Sequence, residues 1–256
     1  MIKIAREGCP NVLNRNPRLK SYYNHVDVTL ALNRMQFEKC AYCEKLIRDG
    51  AQIDHYNPLE AYVTGKNATG KKIYDWHQAN IWENLLYTCT KCNGAKKKHL
   101  PLKGSRRQLI NPTLSDPERF IDFNFIGLGT PFLEVTIISK NSSKIGKSSI
   151  EILKLDMRKK DHLGPLAIFA NELDKLFIEI LMKLLQGTQI NHVDCQSVIS
   201  RFHEYMLSNR PYAGFSRAFM KKRLEHFERF EKSGIEARVG YQINLGITVP
   251  TGIKTN

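Results

Sequence analysis

Cys40-Ala41-Tyr42-Cys43, Gln52-Ile53-Asp54-His55-Tyr56-Asn57-Pro58 and Cys89-Thr90-Lys91-Cys92-Asn93 are the stretches on which the reading of this chain turns. A Cys-x-x-Cys pair stands on each side of an Asp-His pair, so four thiolates can gather around one ion and close the intervening segment as a loop. Four sulfurs leave no open coordination position, which makes Cys40, Cys43, Cys89 and Cys92 the ligands of a structural zinc. One such pair alone would read equally well as a redox couple; two in one frame favour the metal. Asn84, within Trp82-Glu83-Asn84-Leu85-Leu86, and Asn93 add two carboxamides to the framed Asp54 and His55.

The 256 residues suffice for one large domain or two small ones. A net charge of +14 is expected of a protein that meets phosphate backbones, with a merely basic surface as the plain alternative. No run of 18 apolar residues is present, which excludes a membrane-spanning helix. Met1-Ile2-Lys3-Ile4-Ala5-Arg6 lacks the apolar stretch of a secretory signal. With Cys9 and Cys195 standing apart from the two knuckles, the cysteines suit a reducing compartment, and a cytoplasmic protein is expected.

Up to about Lys39 a weak helical face, Val28, Leu30, Leu32, Met35 and Phe37, leads into the first knuckle. Residues 51–55 read as a short strand ended by Pro58. Leu59 to Tyr74 has the composition of a loop, an excursion beside the site. Gly65, Gly70 and Lys71 within it nearly make a phosphate-binding Walker motif. Lys72 stands where Ser or Thr must be, and no strand-to-helix context surrounds it, so a nucleotide site is rejected. Residues 82–88 return as an apolar strand, and Gly94 to His99 begin a short helix after Asn93.

Beyond Asn111-Pro112 a short helix is expected at Asp116-Pro117-Glu118, a strand over 133–138, and a capping box at Ser148-Ser149-Ile150-Glu151. Leu166, Phe169, Ala170, Leu173, Leu176, Phe177, Ile180, Leu181 and Leu184 form the stripe of a helix over 165–186. Two further helices are expected near 195–207 and 214–233, the latter closed by Gly234. The histidines outside the motif read as surface or capping residues, and Trp76 and Trp82 as buried anchors.

An imidazole can take a proton from water at neutral pH, and a carboxylate with a carboxamide can hold a hard divalent ion. Neighbouring residues of a strand point oppositely, so Asp54 and His55 must diverge at a strand end to flank one site.

The array Asp54-His55, Asn84 and Cys89-Thr90-Lys91-Cys92-Asn93-Gly94-Ala95-Lys96 resembles the HNH, or ββα-metal, endonuclease family, on a stretch covering residues 40 to about 101. The resemblance implies His55 as general base, Asp54 and Asn93 as ligands of Mg2+ or Mn2+, and Asn84 as the residue that fixes the loop bearing the base. It implies one-metal hydrolysis to a 5′-phosphate and a 3′-hydroxyl. Lys39-Cys40-Ala41-Tyr42-Cys43-Glu44, the Trp82 to Leu86 block, Asn111-Pro112, Asp116-Pro117-Glu118 and Pro211 to Phe215 are similar to the HNH nuclease subunit of Septu and retron-linked anti-phage systems. That narrower resemblance implies a partner subunit, an ABC/SMC-like ATPase.

The expected architecture is α+β, a zinc-stapled ββα-metal core in residues 1–110 followed by a mainly helical, partner-binding region over 111–256. DNA is the expected substrate, with Lys91, Lys96, Lys97, Lys98, Lys103, Arg106 and Arg107 as candidate phosphate contacts. Two rival readings stand beside this one, a solitary restriction-type nuclease and a non-catalytic zinc-ribbon protein that binds nucleic acid.

Overall fold

The computed structural model describes residues 1–14, 22–97, 108–128, 130, 133–157, 163–189 and 192–232. Among them lie eight α-helices, α1 (Asn11–Asn14), α2 (Val26–Met35), α3 (Trp76–Ala79), α4 (Thr90–Lys96), α5 (Lys144–Leu153), α6 (Gly164–Leu185), α7 (Val193–Met206) and α8 (Ala213–Lys232). Six strands, β1 (Ala51–His55), β2 (Val63–Lys66), β3 (Lys72–Tyr74), β4 (Leu85–Cys89), β5 (Ile121–Ile126) and β6 (Glu134–Ser139), pair as β1–β4, β2–β3 and β5–β6. The class is α+β, with helices and three small two-stranded sheets among the described residues. No helix among the described residues is long and apolar enough to cross a membrane.

The chain divides into two compact units, one of residues 1–121 and 138–157 and the other of 122–137 and 158–256. The division therefore runs through the β5–β6 ribbon and not at residue 110, and α5 belongs to the first unit. There α2 forms because His25 caps it, its Nδ1 accepting from Asp27 N, and because Val28, Ala31, Leu32 and Met35 repeat at helical spacing and are buried. Phe37 and Glu38, both at positive φ, turn the chain sharply into the first Cys-x-x-Cys. Gln36 then acts as a neighbouring strand would: its side-chain amide donates to Tyr87 O at 2.7 Å and accepts from Tyr87 N at 2.9 Å. The knuckle is thereby tied to β4, as it is by Ala41 N donating to Tyr87 O.

Four local expectations are corrected. The excursion after Pro58 is not loop throughout, since β2 and β3 pair within it, and the near-Walker residues lie on a hairpin with no helix behind the glycine-lysine turn. Helix α5 starts earlier than the Ser148 capping box would have it; Ser143 is the cap, accepting from Gly146 N, and Ser148 and Ser149 are buried inside. Strand β5 was missing from the sequence reading, although Ile121, Phe123 and Phe125 alternate as a strand requires. Trp82 is buried, as expected, but Trp76 is only half-buried.

The second unit is mainly helical. Its core gathers Phe123 and Phe125 of β5 with Phe169 of α6 and Phe215 and Phe219 of α8, ring centroids 5.0 to 6.1 Å apart. In the Lys221-Lys222-Arg223 cluster, Arg223 pairs with Asp174 of α6 and Lys222 lies 3.3 Å from Glu225. Two of these three charges are thus answered within the unit. Gly234 lies outside the described residues.

Candidate metal centre and the Asp-His site

The two knuckles meet. The sulfurs of Cys40, Cys43, Cys89 and Cys92 all lie within 4.8 Å of one another, with Cys43 Sγ and Cys89 Sγ 3.9 Å apart. Tetrahedral zinc with bonds near 2.3 Å separates its sulfurs by about 3.8 Å, so the donor set and its spacing fit that ion. The local chain explains the convergence. Glu44, at positive φ, closes the first knuckle through Glu44 N to Cys40 O. Cys89 caps α4, its sulfur accepting from Cys92 N at 3.4 Å. Four such sulfurs cannot all be anionic without a cation among them. Their mutual hydrogen bonds draw the Cys89 thiol far below its ordinary range and push that of Cys43 well above it. The four cysteines can hold a zinc ion, and among the described residues they are the one group of His, Cys, Asp and Glu side chains close enough to hold a metal.

Asp54 and His55 end β1, and their side chains engage different elements. The Asp54 carboxylate is 4% exposed and both its oxygens are bonded: Oδ2 accepts from Tyr42 Oη at 2.7 Å, and Oδ1 from Lys96 Nζ at 3.0 Å. Lys96 Nζ also donates to the His55 carbonyl at 2.6 Å. Burial pushes the Asp54 carboxyl up, against the lowering pull of Lys96 and Tyr42. Tyr42 stands between the first two cysteines and Lys96 stands four positions after the last. The four-cysteine frame thus supplies both grips on Asp54.

His55 is 5% exposed, and its Nε2 lies 2.8 Å from the carbonyl oxygen of Ala79, the last residue of α3. A carbonyl only accepts, so Nε2 carries the proton and Nδ1 of the neutral ring carries the lone pair. The Tyr23 ring meets the imidazole edge-on, centroids 4.5 Å apart. Asn80 fixes that approach, since its Oδ1 accepts from Tyr22 N and Tyr23 N at 2.9 and 3.0 Å. Burial holds the His55 pKa down at about 4.

Asn84 clamps the backbone beyond His55 from both sides: its Oδ1 accepts from Asn57 N at 2.7 Å and its Nδ2 donates to Asn57 O at 3.0 Å. Asn84 O also accepts from Tyr56 N at 2.8 Å. Asn93 lies half-buried on α4, donating from Nδ2 to Gln52 Oε1 at 2.8 Å. Gln52 and Asp54 share one face of β1, as Asn93 and Lys96 at i and i+3 share one face of α4, so two polar pairs bolt the helix to the strand.

The candidate residues are thus gathered on β1, on the turn of Trp82–Asn84 that leads into β4, and on α4, yet the two expected ligands of a catalytic ion, Asp54 and Asn93, bond to different partners. Lys96 departs most from its expected place: it is 1% exposed and ion-paired, and a phosphate cannot reach it as it stands. Lys91 and Lys97 are exposed, and Lys98, Lys103, Arg106 and Arg107 lie outside the described residues. Sequence reasoning missed Tyr23, Tyr42, Asn80 and the Ala79 carbonyl. Of these none has a spacing signal, whereas the i, i+3 relation of Asn93 and Lys96 could have revealed the role of the lysine.

No family model matches the chain, and no solved structure matches it. It is 29% identical over 153 residues to Septu protein PtuB of Bacillus mycoides (strain KBAB4), covering 53% of this chain and 49% of that one. To Septu protein PtuB of Bacillus thuringiensis it is 25% identical over 169 residues, covering 61% and 55%. A third relative, Septu protein PtuA of Bacillus mycoides (strain KBAB4), is 28% identical over 134 residues, 46% of this chain but 17% of its own length. The chain spans about half the length of the two PtuB relatives. At low identity, its relationship is with the Septu proteins.

Proposed function

We propose that this chain is a metal-dependent endonuclease of the HNH type that hydrolyses DNA phosphodiester bonds, acting in a Septu anti-phage defence system beside an ATPase subunit. The observation that carries the reading is the state of His55. Its Nε2–H is committed to a main-chain carbonyl and burial keeps the ring neutral, which leaves Nδ1 as a base for a water proton at neutral pH. Asn84 holds the backbone after His55, as a residue fixing the base-bearing loop would. The order strand, strand, helix around Asp54-His55 and Asn93, with the four-cysteine cluster, supports the same reading.

The hard oxygens of the Asp54 carboxylate and the Asn93 amide would hold a divalent ion, which when bound supplies charge to the scissile phosphate and the leaving oxygen. The Lys96 ammonium already occupies one oxygen of that carboxylate, so a divalent ion there would take its place. Lys91 and Lys97, both exposed, would contact phosphates. The PtuB relatives support the defence role. The PtuA relative supports association with a second component, because there a segment like this chain is joined to a much longer remainder.

A second reading, a zinc-stapled binding protein without activity, has one observation in its favour: both Asp54 oxygens are engaged by the protein itself. Plasmid nicking with magnesium or manganese separates the two, with wild type and His55→Ala compared at equal zinc content. The nuclease reading expects cleavage by wild type and a loss of at least about a hundredfold in the variant. If neither protein cuts, even with the ATPase partner supplied, the binding reading replaces it.

A further inference from the structure

Between β1 and β4 the chain leaves the zinc-framed core and returns as the β2–β3 hairpin. No residue of either strand is buried, and Ile73 is 47% exposed. A bare two-stranded hairpin is marginal in water, yet the tip of this one is built in detail. Asn67 Oδ1 accepts from Thr69 N at 3.1 Å, Thr69 Oγ1 at 2.8 Å and Lys71 N at 2.8 Å. Asn67 N donates to Lys71 O, and Gly70, at φ 77, closes the turn through Gly70 N to Asn67 O.

The charge on the ribbon has one sign. Lys66, Lys71 and Lys72 are its ionic side chains, with no acidic residue between Val63 and Tyr74. Lys72 lies 3.7 Å from Glu60 at the base, a half-buried pair at a distance where the attraction is modest. Both feet stand at His55. The first follows Asn57, which Asn84 clamps, and the second runs into α3, whose Ala79 carbonyl takes the His55 Nε2–H. Asp75 N donating to Tyr62 O joins the feet.

We propose that the β2–β3 hairpin is the arm by which this chain holds duplex DNA at the His55 site, with Lys66, Lys71 and Lys72 on backbone phosphates. A two-stranded ribbon is an element that the major groove admits, and three phosphate contacts position a duplex without reading its sequence. A shape fixed in advance lowers the ordering cost of binding. The inference rests on the nuclease reading for its choice of DNA, and its test measures binding separately from cleavage.

The test is the affinity of the full chain for a short fluorescent duplex across a salt titration. Wild type is compared with the triple variant Lys66→Gln, Lys71→Gln, Lys72→Gln, and with a charge-matched control, Lys144→Gln, Lys147→Gln, Lys154→Gln, whose lysines are exposed elsewhere in the same unit. Thermal melting verifies that all three proteins are folded. The hairpin variant should lose between about two and three from the slope of log K against log salt, with affinity at about 0.1 M salt falling tenfold or more, and the control should lose less than one. Equal losses in both variants, no loss in either, or a loss seen only on an RNA duplex overturns the proposal. Plasmid nicking by wild type with the hairpin variant unaffected sinks the arm and leaves the nuclease standing. Hairpin-dependent binding with no cleavage by wild type sinks the nuclease and leaves the arm.

Discussion

At His55 the main chain determines which ring nitrogen carries the proton. The Ala79 carbonyl accepts from Nε2, the Tyr23 ring packs against the imidazole, and burial keeps the ring neutral down to about 4. The ordinary histidine value is near 6.5, so in the unfolded chain the ring takes up its proton at higher pH than in the native one. The contribution to stability is therefore present above pH 6.5 and is lost as pH falls through the window to about 4, to a total of roughly 3 kcal/mol. The ring resonances of His55, followed by NMR, should stay flat from neutral pH to about 5 and titrate near 4; in Tyr23→Ala, where the ring is less buried, the midpoint should move up toward 6.5. A midpoint near 6.5 in wild type would show that burial does not govern this ring. Sequence reading singles out His55 because Asp54, Asn84 and Asn93 form a pattern of residue types with it. It could not find Ala79, whose contribution is a carbonyl that any residue would supply.

Between elements, the decisive contact is the bolt of α4 onto β1. Lys96, Asp54 and Tyr42 form a buried chain, and removal of its cation would leave the carboxylate out of water with one hydroxyl for company. Lys96→Met keeps much of the length of the side chain and removes the charge; it should cost about 3 to 5 kcal/mol in urea unfolding of the zinc-loaded protein, and Asp54→Asn added to it should restore a large part. Additive losses in the double variant would mean that the two residues do not act as a pair. Helix α6 was legible because Leu166, Ala170, Leu173, Phe177 and Ile180 repeat over many turns and are buried as the repeat requires. The β2–β3 hairpin was not, because its strands are four and three residues long and its turn residues outweigh them. Lys96 was misjudged for a related reason. One lysine in a basic run carries no mark of burial until the strand that faces it is known.

On the scale of the whole molecule, the two units carry separate optical signals, which makes the role of the four-cysteine cluster measurable. Both tryptophans, Trp76 and Trp82, lie in the first unit, and Trp82 is buried with its Nε1 donating to Glu7 O at 2.9 Å and Arg6 stacked on its ring. The long helices α6, α7 and α8, of 22, 14 and 20 residues, lie in the second unit and dominate the far-ultraviolet circular dichroism. Zinc bound by four thiolates in a small unit contributes directly to its folding, because the unfolded chain has no comparable site. A strong chelator at neutral pH should therefore release one zinc per chain and shift the tryptophan emission to the red, while most of the helical signal remains. Readdition of zinc under reducing conditions should reverse the shift. The aromatic cluster of Phe123, Phe125, Phe169, Phe215 and Phe219 belongs wholly to the second unit, apart from the unit that holds the cysteines. If both signals collapse together on chelation, the metal supports the two units as one cooperative structure and the division between them is not thermodynamic. If neither moves although zinc is lost, Tyr42, Lys96 and Gln36 hold the first unit without the ion, and the cysteines must be assigned a purpose other than stability.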